Sequence, residues 1–462
     1  MTAIEPATLR SVFDGEVLSP SDGPAYDAAR AVFNALFDRR PGLIARPAST
    51  KDVVAALAFA RSRGLPIAVR GGGHSVAGYS AIDGGLLIDL GAMRRVRVDA
   101  VSRRARVQGG ANWGEVDRET QAHGLATTGG RVTSTGVAGY TLGSGSGWLE
   151  RLHGLSCDNL ISAELVTADG RVLTASATEN EDLFWGLRGG GGNFGIVTEF
   201  ELRLHPVGPI VLAGLLLYPR SQAPEVCRFY RDFMTDAPRE VGGALVLMHA
   251  PPAPFVPPEL VGRPAVAVIA AWFGDIEAGT SALAPLRAFG SPAADVVQPM
   301  PYCALQSLID GANLPGRRNY WRSENLGGLT DEAIDATVAC ASTASSPFSV
   351  MILQRYGGAV ADVAEDATAL GGRSSPWQYH CYGIWTDADD ERHIRWVRAT
   401  EQAMRPWTSG RVSLNFVSEV TDERVRSSFG PDKYRRLVAL KDKYDPGNVF
   451  RMNQNVPPTP KD

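Results

Sequence analysis

The string Arg70-Gly71-Gly72-Gly73-His74-Ser75 directly follows a short apolar run, Ile67-Ala68-Val69. Three successive glycines let a backbone lie against a bulky anionic ligand with several amides free to point at it. The histidine then brings its ring to the same place. A second run, Gly139-Tyr140-Thr141-Leu142-Gly143-Ser144-Gly145-Ser146-Gly147-Trp148, is followed by Gly154-Leu155-Ser156-Cys157-Asp158-Asn159-Leu160. A third reads Phe184-Trp185-Gly186-Leu187-Arg188-Gly189-Gly190-Gly191-Gly192-Asn193-Phe194-Gly195-Ile196-Val197-Thr198. So many glycines in one stretch are costly in backbone entropy, which points to one large ligand lying against all three loops. Taken alone, the first loop also reads as a tight turn beside a histidine.

The elements that must position these loops are legible nearby. Ser49-Thr50-Lys51-Asp52 has the form of a capping box and opens a helix that ends at Gly64, so a helix–strand–loop unit of the kind that holds a nucleotide is expected. The common phosphate motifs are absent. No segment matches the P-loop string, and although Gly190, Gly192 and Gly195 have G-x-G-x-x-G spacing, a helical pattern precedes them and a strand follows. A Rossmann dinucleotide site requires the reverse order.

At 462 residues, with 44% hydrophobic and 21% charged residues, the chain has the composition of a globular protein of two or three domains. A net charge of -4 leaves no basic footprint for nucleic acid, and no apolar run is long enough to span a membrane. Glu5 stands where a secretory signal would carry positive charge, and no apolar segment follows it. The five cysteines (Cys157, Cys227, Cys303, Cys340 and Cys381) form an odd set without metal-ligand spacing. Reduced thiols, a cytoplasmic location and no metal are therefore expected.

Four elements, taken together and in order, carry a family resemblance: Arg-Gly-Gly-Gly-His-Ser, Gly-Leu-x-x-Asp-Asn-Leu, Arg-Gly-Gly-Gly-Gly-Asn-Phe-Gly, and the closing stretch from Lys443 to Asn455. The chain resembles the berberine-bridge-enzyme-like oxidases of the vanillyl-alcohol-oxidase superfamily of FAD proteins, over residues 40 to 458. The resemblance implies an α+β fold, with a two-subdomain FAD-binding domain of the PCMH type and a substrate domain whose antiparallel sheet is flanked by helices. The expected division is an N-terminal helical segment at 1–36, the FAD-binding domain at 37–207, the substrate domain at 208–410, and a C-terminal segment at 411–462 that returns to the FAD domain. The Asp-Gly in Thr167-Ala168-Asp169-Gly170-Arg171-Val172 predicts a hairpin within the FAD domain, and Lys433 to Lys441 predicts a helix in the last segment.

The resemblance also assigns residues. Cofactor contacts fall on Arg70, Gly71, Gly72, Gly73, His74 and Ser75; on Gly136, Gly139, Gly143, Gly145 and Gly147; on Asp158 and Asn159; on Gly195 and Val197; and on Asn453 and Asn455. His74 matches the histidine that is bonded to the 8α-methyl carbon of the flavin. The cysteine that some members link to flavin C6 corresponds here to Val132, which cannot form the bond, so a single link through His74 is expected. Cys157, in the Gly-Leu-x-x-Asp-Asn turn, reads as a small buried side chain. Thr135 falls where the family places a residue over the oxygen-reacting face of the flavin, with plain packing as its alternative.

The family's catalytic tyrosine corresponds to a stretch that here reads Ser413-Leu414-Asn415-Phe416, and Phe416 has no proton to exchange. Period-2 alternation puts Gln378, His380 and Tyr382 on one face of a strand and Tyr379 and Cys381 on the other. His380, Tyr382, Tyr356 and His249 are the candidate replacement bases. The implied function is removal of hydride from a C–H bond of a small organic substrate to FAD, with dioxygen as the second partner and hydrogen peroxide as product. A flavin-dependent oxygenase or oxidative cyclase, and a non-catalytic flavin-fold binding protein, are the alternatives.

Overall fold

The computed structural model describes residues 6–460. Strands Leu43–Arg46, Leu86–Asp89 and Ile67–Arg70 lie side by side in parallel. Leu43, Ile44, Ala45, Leu86, Leu87 and Ile88 are all fully buried, the unbroken apolar reading of strands covered on both faces. Helix Thr50–Ser62 crosses between the first and last of them, burying Val53, Ala56, Leu57 and Ala60 along one stripe.

The start of that helix departs from the expected reciprocal cap. Ser49 accepts the Asp52 amide, but the buried Asp52 carboxylate turns away from Ser49 to accept the amides of Asp14 and Ala48, each at 2.9 Å. It thereby fastens the N-terminal residues to the sheet. The segment 1–36, expected to be helical and described from Pro6 on, also contributes a strand: Glu16–Leu18 pairs antiparallel with Leu43–Arg46 between the short helices Ala7–Arg10 and Pro24–Arg30. Val17 and Leu18 bury against the sheet edge, and three residues are too few for periodicity to reveal a strand.

A five-stranded antiparallel sheet follows, in the order Val96–Asp99, Arg104–Gln108, Ile196–Arg203, Leu160–Val166 and Val172–Ser176. Its last two strands form the hairpin signalled by Asp169-Gly170, with Gly170 at φ +89°.

All eight strands of the third large sheet fall between Ile210 and Trp385, and every pairing among them is antiparallel. One face is apolar core: Leu245, Leu247, Leu353, Tyr379 and Cys381 pack there beneath helices Ala223–Asp236, Asp331–Ser342 and Asp390–Met404. The opposite face, carrying Val246, Ile352, His380 and Tyr382, looks toward the glycine loops.

The C-terminal residues clasp the third glycine loop. Helix Pro431–Tyr444 buries Lys441 completely, and its ammonium donates to the Asn193 carbonyl at 2.9 Å, the Phe450 carbonyl at 2.8 Å and Asp445 Oδ2 at 2.7 Å. Asn193 closes the clasp, donating to the Gly190 and Gln454 carbonyls and accepting the Val456 amide. Removing one partner of a fully buried ion pair leaves the other charge uncompensated. Lys441→Met is expected to lower the unfolding free energy by about 3–5 kcal/mol in a denaturant titration. A loss within about 0.5 kcal/mol would show that the clasp is incidental.

Candidate functional site

A cavity of about 620 Å³ is lined by the three glycine loops, the C-terminal tail and the open face of the eight-stranded sheet. The first loop leaves strand Ile67–Arg70 and meets the second backbone to backbone. A Cβ on Gly72 would lie 2.3 Å from the Gly136 nitrogen, and one on Gly136 would lie 2.2 Å from the Gly72 nitrogen. Gly71, Gly72, Gly73, His74 and Ser75 all line the cavity.

The His74 ring stacks on Phe33, with centroids 4.1 Å apart and planes at 17°, and its Nε2 lies 2.9 Å from Ser134 Oγ. Lost hydration pushes its pKa down to about 4, so the imidazole is neutral across the physiological range. Thr135, Gly136, Gly139 and Gly145 line the second-loop side, Gly195 and Val197 the third-loop side, and Asn453 the tail. Among the described residues nothing lies within 4 Å of where a Cβ on Gly139 or Gly192 would project.

Six of the expected cofactor contacts lie behind this wall. Arg70 turns back to pair with Asp89 at 2.7 Å and to donate to the Ala31 carbonyl, rooting the loop in its own sheet. Asp158 is held by the Arg373 guanidinium at 2.6 and 3.0 Å and accepts the Leu155 amide. Asn159 braces the His153 and Leu155 carbonyls and bonds His205. Gly143 makes room for Asn415, whose side chain a Cβ would strike at 2.3 Å, and Gly147 packs on the Gly129 carbonyl. Asn455 sits outside the lining, its side-chain oxygen buried with no partner among the described residues.

The candidate bases separate in the same way. His380 and Tyr382 line the cavity, whereas Tyr356 lies behind it, its hydroxyl on Gln378 Oε1 at 3.2 Å among Leu155, Cys157, Val360 and Leu370. His249, at the far end of its strand, is outside the lining. His380 Nδ1 is 2.8 Å from Ser323 Oγ, and its ring meets the edge of Phe416 at 4.9 Å. Burial and then the Arg131 charge push its pKa down to about 3. Burial raises the Tyr382 phenol well above its ordinary value, and its ring stacks on Trp321 at 4.0 Å. Cys157 is fully buried outside the cavity, and burial pushes its thiol up.

A polar group not anticipated from the motifs also borders the cavity. Arg131 donates to the Ser146 and Gly147 carbonyls and to Glu150 at 3.3 Å, and Gln354 donates to Ser146 Oγ at 2.8 Å and to Glu150. The pair Gly129-Gly130 just before Arg131 was its available signal. Phe33, the partner of His74, had none.

These features suit a long planar cofactor with phosphates. Two glycine positions open directly into the space, and the Asn453 side-chain oxygen is buried at its edge without a partner among the described residues. Such a fold and cavity suit a flavoprotein of the FAD-binding class, and comparison with known proteins places the chain in that class. The pattern of the FAD binding domain family matches residues 41–176, and that of the berberine and berberine-like family matches residues 413–457. The chain is 32% identical to (R)-6-hydroxynicotine oxidase of Paenarthrobacter nicotinovorans over 96% of its length and 97% of the relative's. It is 30% identical to glucooligosaccharide oxidase of Sarocladium strictum over 95% and 91%. The crystal structure of 6-hydroxy-D-nicotine oxidase from Arthrobacter nicotinovorans superposes with a TM-score of 0.84 at 28% identity, covering 97% of this chain and 98% of that one. The chain belongs to the berberine-bridge-like family of FAD-linked oxidoreductases. It is an FAD-binding enzyme with the mixed α+β fold of that family.

The contact between Gly72 and Gly136 gives the site a sharp test. Gly72→Ala forces two backbones apart by more than an ångström, because 2.3 Å is far inside van der Waals contact. The variant is expected to purify with its far-ultraviolet circular dichroism intact and its visible flavin absorbance per protein reduced severalfold. Full flavin content would show that the loops need not touch.

Proposed function

We propose that this enzyme is an oxidase that takes hydride from a C–H bond of a small organic substrate, most simply an alcohol, and passes the electrons to dioxygen. The observation that carries the reading is that His74, His380 and Tyr382 line the same cavity. Bound FAD supplies the two-electron acceptor. His74 would carry its covalent link: its half-buried, neutral imidazole keeps a lone pair free for a bond to carbon. The link is single, because Val132 lines the cavity without a sulfur and Cys157 is shut away from it.

His380 takes the place of the missing tyrosine. Ser323 fixes its ring, Phe416 packs against it, and the imidazole is uncharged, so it accepts the substrate's hydroxyl proton as the C–H bond breaks. Tyr382 keeps its proton and orients the same oxygen by donating to it. Thr135 and Val132 are small enough to leave dioxygen a way in. In this reading residues 37–207 and 411–460 hold the cofactor, 208–410 hold the substrate, and 6–36 brace the first sheet. Five unpaired cysteines suit a reducing cytoplasm.

His380→Ala is expected to retain flavin and to lower kcat/KM about 10²–10⁴-fold for peroxide release across a panel of alcohols. A base works deprotonated, and this one has its pKa near 3, so wild-type kcat/KM is expected to be flat from about pH 5 upward and to fall only in stronger acid. An unchanged rate in the variant, or a wild-type inflection between pH 6 and 8, would remove His380 from this role.

A further inference from the structure

The sheet wall of the cavity has an unusual composition for an open antiparallel face. Such a face normally alternates core residues with polar ones directed at solvent. Here the outward positions are as apolar as the inward ones: Ala244, Val246 and Met248 on one strand, Ile269 on the next, Val350 and Ile352 on a third. Their inward neighbours Leu245, Leu247 and Leu353 belong to the core. Both faces of this sheet are built as if to be covered by apolar matter.

On the sheet wall the polar groups are few, and those beside it are largely engaged. Among the described residues no aspartate, glutamate or lysine lines the cavity. The Arg131 charge is met by Glu150 and two carbonyls, and the Gln354 amide nitrogen by Ser146 and Glu150. The indole nitrogen of Trp321 is bonded to Asn319, and the Asn415 amide to the Gly139 and Tyr140 carbonyls. His380 and Tyr382, adjacent on one strand face, remain as the polar pair beside the apolar wall. At the rim Phe348 is 37% exposed although it lines the cavity, and Leu314, next to the lining residue Asn313, is 48% exposed.

We infer that the substrate is an uncharged, predominantly apolar ring molecule with one hydroxyl directed at His380 and Tyr382, and not a sugar, an amine cation or a carboxylic acid. A sugar would bury several hydroxyls against Val246, Ile269 and Ile352 with nothing to receive them. A cation or an anion would lack a counter-charge on the wall. A planar ring finds apolar surface, and the stacked Trp321 and Tyr382 offer it an aromatic edge. This deepens the oxidase reading of the same cavity and rests on it.

The test is calorimetric binding to the holoenzyme, which is independent of turnover. The probes are 2-naphthol (a neutral two-ring compound with one hydroxyl), 2-naphthoate (the same rings with a charge) and cellobiose. Binding of 2-naphthol is expected with a negative heat-capacity change, the marker of apolar burial, together with affinity at least about tenfold above 2-naphthoate and no heat from cellobiose. Val246→Asn is expected to weaken 2-naphthol about tenfold, and Phe348→Ser, at a half-exposed site that tolerates change, about threefold. Cellobiose or 2-naphthoate binding as tightly as 2-naphthol, or 2-naphthol affinity unmoved by both variants, would overturn the inference. Tight 2-naphthol binding to an enzyme that releases no peroxide from any alcohol would support this substrate class while refuting the oxidase reading.

Discussion

Two backbones touching without a side chain between them is the constraint on which the rest of this molecule depends. Gly72 and Gly136 come from elements with different origins, a parallel helix-crossed unit and a loop that runs into the helix Val137–Gly143, and their approach leaves no room for a single methyl. That contact sets where the His74 ring lies. It also brings the second loop within reach of Asn415, which bonds the Gly139 and Tyr140 carbonyls from the C-terminal segment. The neighbouring Phe416 thereby comes to rest on His380. A chain of steric contacts thus couples the glycine-loop wall of the cavity to its sheet wall.

Charge is handled in a consistent way around this cavity. The buried ion pairs Asp158–Arg373, Lys441–Asp445 and Arg131–Glu150 fasten segments far apart in sequence, or loops to helices, and each sets a charge against its opposite. The two histidines on the wall are neutral because burial denies them hydration.

Much of this was legible in the chain, and the rest was not for reasons that can be named. The glycine loops announce themselves because runs of glycine stand out in a sequence whatever distant partner they make room for, and alternation along Trp377–Trp385 correctly sorts His380 and Tyr382 from Tyr379 and Cys381. Motif membership does not distinguish a residue that faces the ligand from one that holds the loop in place. Asp158 and Asn159 have their partners at Arg373 and His205, and Arg70 has Asp89, contacts that no local pattern encodes. Tyr356 was a candidate as a phenol at a strand end just before Gly357-Gly358, and the register of that strand end turns it into a packing cluster. Phe33 is invisible because a lone aromatic in an irregular segment carries no periodicity.

The most direct test of the account is the absorption spectrum of the purified protein, repeated on the acid-precipitated polypeptide of the wild type and of His74→Ala. A flavin held in this cavity and bonded to His74 predicts visible flavin absorption that stays with the wild-type pellet and is absent from the variant's. A native protein without flavin absorption, and with none after incubation with FAD, would contradict the assignment of the cavity, and flavin released from the wild-type pellet would contradict the link.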